Sequence, residues 1–196
     1  KNDPRVKIMK NEFNSGAAVT RNKCLSRATG EFLAFIDADD IWVPEKIEKQ
    51  VNYMERNNIN FSFTAYELIN ENGKSLKKYI DINNTGAFSY DDMLRKKATL
   101  GCSTVMLRGN TFSDLTMPHI RTGQDYAFWL KLLKNGEKAY LLNEPLTKYR
   151  IVSNSISRNK FRKAMRQWQI YRNLEKLSFI EALECFLFYA VRAVLR

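Results

Sequence analysis

Apolar and polar positions recur along this chain with two different periods, and the changes of period mark its elements. Phe32 to Ile36 is a short apolar run between Gly30 and a group of carboxylates, the pattern of an inner strand. Ser15 to Arg27 predicts a helix, with Asn14 or Ser15 as N-cap and Gly30 shortly past its end. Over Pro44 to Asn57, Ile47, Val51 and Met54 share one helical face and leave Glu45, Lys46, Glu48 and Lys49 outside. Asn60 to Ile69 is rich in aromatic and β-favouring residues, and Asn72-Gly73 turns it into Lys77 to Ile80 as a hairpin. Arg5 to Met9, Ser103 to Arg108, Ala139 to Leu142 and Leu146 to Ile151 predict further strands. Ser89 to Lys96 and Gln124 to Asn135 predict helices, the second closed by Gly136. The alternation predicts an α/β domain with a mostly parallel sheet flanked by helices.

From Arg158 the pattern changes. Arg158, Lys160, Arg162, Lys163, Arg166, Arg172 and Lys176 interleave with Phe161, Met165, Trp168, Ile170, Tyr171 and Leu174, and Glu175 is the only acid among them. Ser178 then caps a helix from Phe179 to Leu195. Glu181, Glu184 and Arg192 argue against a membrane span. Two readings stand: a helix lying on a membrane interface, or packing against the preceding domain with the charges solvated. The chain thus divides into a domain over 1–157 and a basic, aromatic helical extension over 158–196.

Size and charge narrow the partners. A chain of 196 residues, 44% hydrophobic, suffices for one domain with its own core. A net charge of +11 predicts an anionic partner: nucleic acid, acidic lipid or a phosphorylated substrate. No base-reading motif accompanies the charge, so nucleic acid is not expected. Cys24, Cys102 and Cys185 form no C-x-x-C pair and suit a reducing cytoplasm better than a disulfide framework. No secretory signal pattern is evident.

The candidate chemistry starts at Asp37, Asp39 and Asp40, directly after the apolar run. Carboxylates at the carboxyl end of a strand sit where open α/β sheets bind ligands. Three so close repel one another, and a hard divalent cation relieves that repulsion. Asp39 or Asp40 could equally cap the helix beginning near Pro44. Thr122-x-x-Asp125 has capping-box spacing. Arg21 is a candidate for a diphosphate, or for pairing with an aspartate. His119, the only histidine, follows Pro118 in a predicted loop.

The context of these residues carries a resemblance. Asn14-Ser15-Gly16-Ala17-Ala18-Val19-Thr20-Arg21-Asn22, Ala28-Thr29-Gly30-Glu31, the acidic group, and Trp42-Val43-Pro44-Glu45-Lys46-Ile47-Glu48-Lys49-Gln50 follow one another in order. The whole run resembles the middle of a family-two glycosyltransferase, with Thr20 where alanine is usual. Gly123-Gln124-Asp125-Tyr126-Ala127-Phe128-Trp129-Leu130 is similar to that family's G-E-D-x-x-[LF]-W-L segment, with Gln124 in place of glutamate. Glu144 to Arg150 and Ser153 to Ser157 are similar to its P-L-x-x-Y-R-x-x-x-x-S-x-S stretch.

The resemblance implies a GT-A, Rossmann-like fold that inverts configuration at the sugar. It implies Mn²⁺ or Mg²⁺ held by Asp39, with Asp40 a secondary ligand and Asp37 contacting the ribose or the metal's water shell. It also implies Asp125 as catalytic base, with Arg21, Arg150, Ser155 and Ser157 around the donor diphosphate. The implied reaction takes a sugar from a nucleotide-sugar donor, a UDP-sugar, to a hydroxyl of a glycan or lipid-linked acceptor in cell-surface polysaccharide synthesis. The expected setting is cytoplasmic and peripheral, on an anionic membrane surface contacted through 158–196. The family's V-S-[VI]-I-[IM]-P-x-[YF]-N and V-D-D-G-S segments are not in this sequence, so a partial domain without its nucleoside half is expected. A non-catalytic scaffold and a basic anion-binding module are the rival expectations.

Overall fold

The computed structural model describes residues 3–152 and 160–195. Helix α1 (Gly16–Leu25) leads to strands β1 (Phe32–Ala34) and β2 (Ile41–Trp42) and helix α2 (Lys46–Arg56). A hairpin follows, of β3 (Phe61–Ile69) and β4 (Ser75–Ile80), and then β5 (Ala87–Phe88) and α3 (Tyr90–Leu94). A 3₁₀ turn, Cys102–Thr104, runs into β6 (Val105–Arg108). Helix α4 (Gln124–Leu133) and the long strand β7 (Ala139–Arg150) complete the sheet layer. Helix α5 (Lys160–Gln169) passes through a π turn, Ile170–Leu174, before α6 (Phe179–Leu195).

The strands form one sheet in the order β1-β6-β3-β7-β2, with β4 on β3 and β5 on β7. The fold is α/β with flanking helices, as expected, but the sheet is mixed rather than mostly parallel. Among the described residues β3 and β7 are its one parallel pair, and every other pair is antiparallel. The sequence periods report burial, not strand direction, which depends on how the connections run.

Other expectations change for similar reasons. Arg5 to Met9 is not a strand. Val6 and Ile8 alternate correctly but stay exposed, and the Val6 amide donates to Asp3 O in a turn. A strand needs a neighbouring ladder, and local preference alone does not supply one. β1 is paired only with β6, so it lies at the end of the described sheet rather than inside it. The two strands expected over 139–151 are one. Thr64 pairs with Leu142 but Ala65 pairs with Pro145, so Asn143 and Glu144 bulge out of a continuous strand. Proline has no amide hydrogen to donate, which favours such an interruption.

Lys46, expected outside α2, is fully buried. Its ammonium lies 4.7 Å from the Trp42 ring centroid and donates to Gln50 Oε1. Burial pushes its pKa down to about 7.

The core is aromatic. Trp129 of α4 stacks edge-on against Phe35 and Phe61, each at 5.6 Å between centroids. The carboxyl-terminal helices belong to this same core. Ile170, Tyr171, Ala182 and Cys185 are buried in it. Tyr171 donates to Leu94 O at 2.6 Å, and Arg95 pairs with Glu184 at 2.9 Å. The packing reading of 158–196 therefore holds for one face of these helices. The other face of α6 shows Phe179, Ile180, Leu183, Leu187 and Val191 to solvent. No helix among the described residues is long and apolar enough to cross a membrane.

Candidate active site

The three acidic residues after β1 form a turn, closed by Asp40 N donating to Asp37 O at 3.1 Å. Each side chain has a different environment. Asp40 points inward and is buried. One of its oxygens accepts from Ser103 Oγ at 2.6 Å and the other from Arg150 N at 2.9 Å. Burial raises its pKa; the two donors oppose that rise, and Asp37 and Asp39 add to it. Asp40 thus anchors the turn to the 3₁₀ turn and to the end of β7, and neither Asp39 nor Asp40 caps α2, whose N-cap is Glu45. Asp37 is half-buried and holds Arg21 in an ion pair. Asp39 sits exposed at the apex, and its carboxylate accepts no hydrogen bond from the described residues.

Asp125 shares two electrostatic neighbours with the acidic turn. α4 opens at Gly123, whose φ of 76° is left-handed, and no side chain caps the helix. The capping box expected from Thr122 and Asp125 does not form, because the chain enters the helix one residue later than that spacing requires. Asp125 is left half-buried in the first turn. Two half-buried side chains, Arg21 and Tyr149, provide its link to the acidic turn. Burial opposes the charge on Arg21, but Cys102, Asp37 and Asp125 more than offset this and raise its pKa. The Tyr149 phenol is pushed up to about 12, first by burial and then by Asp40, Asp125, Asp37 and Asp39. The acidic turn and Asp125 therefore act on the same two side chains: Arg21 feels Asp37 and Asp125, and Tyr149 feels all four aspartates.

The remaining expected residues fall as follows. Arg150 Nε donates to Asp39 O at 2.7 Å, and its Nη1 to Asn70 O and Glu71 O at 3.0 and 2.8 Å. It ties the acidic turn to the β3–β4 hairpin, a clamping use of the guanidinium that the sequence did not suggest. Ser155 and Ser157 lie outside the described residues. His119 is exposed, 3.3 Å from Asn22 Nδ2.

Ser103 and Tyr149 went unnoticed in the sequence. Tyr149 stands beside Arg150 in a motif and was within reach. Ser103, at the start of a predicted strand, carries no signal.

The described groups that could hold a cation reduce to one open carboxylate. Among the described residues no three His, Cys, Asp or Glu side chains converge as a cage. The exposed Asp39 carboxylate is an oxygen ligand of the kind Mg²⁺ and Mn²⁺ accept when substrate phosphates and water complete the shell.

Comparison with known proteins identifies the family. The model for glycosyl transferase family 2 matches residues 1–113, and the chain belongs to that family. It is 46% identical over 192 residues to TuaG of Bacillus subtilis, a glycosyltransferase named for teichuronic acid biosynthesis, covering 98% of this chain and 75% of that one. It is 38% identical over 169 residues to WfgD of Escherichia coli, named as a UDP-Glc:α-D-GlcNAc-diphosphoundecaprenol β-1,3-glucosyltransferase, covering 86% and 64%. Among solved structures, S. aureus TarS in complex with UDP-GlcNAc aligns with a TM-score of 0.63 at 18% identity, over 92% of this chain. The chain spans 54% of that TarS chain, and this likeness concerns the fold alone.

Proposed function

We propose that this chain transfers a sugar from a UDP-sugar to a hydroxyl of a lipid-linked glycan, with inversion at the anomeric carbon, in the synthesis of a cell-surface polysaccharide. The observation that carries the reading is that the exposed Asp39 and the half-buried Asp125, far apart in the chain, both act electrostatically on Tyr149. Support for the donor and acceptor classes comes from WfgD and WfaP, both named for UDP-Glc and a diphosphoundecaprenol-linked acceptor.

Asp39 would hold Mn²⁺ or Mg²⁺ together with the donor diphosphate, and a cation bound there offsets the charge gained by the leaving group. Asp125 accepts the proton of the acceptor hydroxyl. The acceptor oxygen bonds to the anomeric carbon as the bond from that carbon to the diphosphate oxygen breaks. Arg21, oriented by its ion pair with Asp37, engages the donor diphosphate. Asp37 contacts the ribose or the metal's water shell. Arg150 contributes by fixing the turn that carries Asp39. The uncharged face of α6 and the basic residues of α5 rest on an anionic membrane, where a lipid-linked acceptor resides.

The test is transfer from UDP-glucose to a GlcNAc-diphosphate lipid, followed by the configuration of the new linkage. Turnover that stops with EDTA, is restored by Mn²⁺ and yields the inverted linkage is expected. Retention of configuration, or turnover indifferent to EDTA, would sink the reading.

A further inference from the structure

Ser103 is wholly buried and makes four hydrogen bonds, none of them to another residue of its own turn. Its hydroxyl accepts from Asp37 N at 2.9 Å and donates to Asp40 Oδ2 at 2.6 Å. Its carbonyl accepts from Trp42 Nε1 at 2.7 Å and from Thr147 Oγ1 at 3.1 Å. One residue thus grips both ends of the acidic turn, the strand that follows it and β7.

The grip is itself held from below. Gln50 Nε2 donates to Thr104 O at 3.1 Å and to Ser62 Oγ at 3.0 Å, and Gln50 in turn takes the buried Lys46 ammonium. The 3₁₀ turn therefore cannot shift without breaking a buried network that reaches α2.

We propose that Ser103 is a positioning residue that fixes the Asp37–Asp40 turn so that Asp39 meets the donor diphosphate. The hydroxyl has one hydrogen to give, and the buried Asp40 carboxylate takes it. Its lone pairs face the Asp37 amide. Removing the hydroxyl strips the half-buried Asp37 amide of its acceptor and the buried Asp40 Oδ2 of its donor, leaving only Arg150 N on the other Asp40 oxygen, and the turn regains partners by moving. Asp39 lies between the two gripped positions, so it moves with them. The inference rests on Asp39 as the residue that engages metal and diphosphate.

The experiment is calorimetric titration of UDP with and without Mn²⁺ into this 196-residue chain, comparing Ser103→Ala, the nearly isosteric Ser103→Cys, Asp39→Ala and the Ser103→Ala/Asp39→Ala pair. Each Ser103 variant is expected to weaken Mn²⁺-dependent UDP binding by roughly tenfold, the scale of one unmade buried hydrogen bond. Ser103→Ala should add nothing once Asp39 is gone, since residues acting through one another are not additive.

A Ser103 of merely structural importance would lower the melting midpoint and leave the affinity of the folded protein unchanged, which overturns the proposal. Should Ser103→Ala not fold, Ser103→Cys decides by the same criterion. Wild-type affinity in the Ser103 variants, with loss in Asp39→Ala, overturns the positioning role and leaves the metal reading standing. Undiminished binding in Asp39→Ala overturns both.

Discussion

Three neighbouring aspartates have three different environments. Asp40 is buried and doubly bonded, Asp37 is paired with Arg21, and Asp39 is exposed. The D-x-D pattern was legible in the sequence; which carboxylate turns inward was not, because that depends on Ser103 and Arg150, distant in the chain. Asp125→Asn keeps the size of the side chain and removes its basicity. It should lower the transfer rate about 100-fold or more while leaving UDP binding intact, as loss of a general base does; single-turnover rates beside UDP titrations check this. Lys46 allows a prediction about stability. Its folded-state pKa, about 7, lies below the unfolded value of 10.5. Between these the unfolded chain holds a proton that the folded chain lacks, so raising the pH favours folding. Urea unfolding should show stability rising from pH 7 to about pH 9 in the wild type, and Lys46→Met should flatten that rise.

At the scale of elements, most helices and strands were legible, because their apolar periods coincide with their buried faces. The failures share a cause. Arg5 to Met9 has the period without a partner, and β7 keeps its ladder across a break that reads locally as a loop. The entrance to α4 depends on Gly123. A Cβ there would come within 3.1 Å of Arg166 Cδ and 3.2 Å of Ile170 Cδ1, in a backbone conformation that favours glycine. Gly123→Ala should destabilise the fold by about 1 kcal/mol or more, from left-handed strain and crowding together. Because Asp125 lies two residues on, the transfer rate should fall as well. Denaturant midpoints and initial rates on one preparation measure both.

For the whole molecule, the question is what the exposed face of α6 meets. Phe179, Ile180, Leu183, Leu187 and Val191 form one uncharged stripe, and Trp168 of α5 packs edge-on against Phe179 at 5.8 Å, joining the stripe to the basic helix. Burying one leucine in a lipid interface is worth about 2 kcal/mol. Leu187→Glu should therefore weaken co-sedimentation with phosphatidylglycerol vesicles at least tenfold, and salt should weaken the wild type's binding. Equal binding to phosphatidylcholine vesicles would remove the electrostatic part of the reading. The sequence by itself determined the α/β class, the motif order that identifies the family and the candidate site residues. These follow from local periodicity and from side-chain chemistry, which travel with the chain. Tertiary structure alone decided the mixed sheet, the burial of Lys46, the inward turn of Asp40 and the joint influence of Asp125 and the acidic turn on Arg21 and Tyr149. Each of these depends on which distant segment arrives as neighbour, and a hydrogen bond such as Ser103 to Asp40 spans sixty-three positions that no local pattern connects.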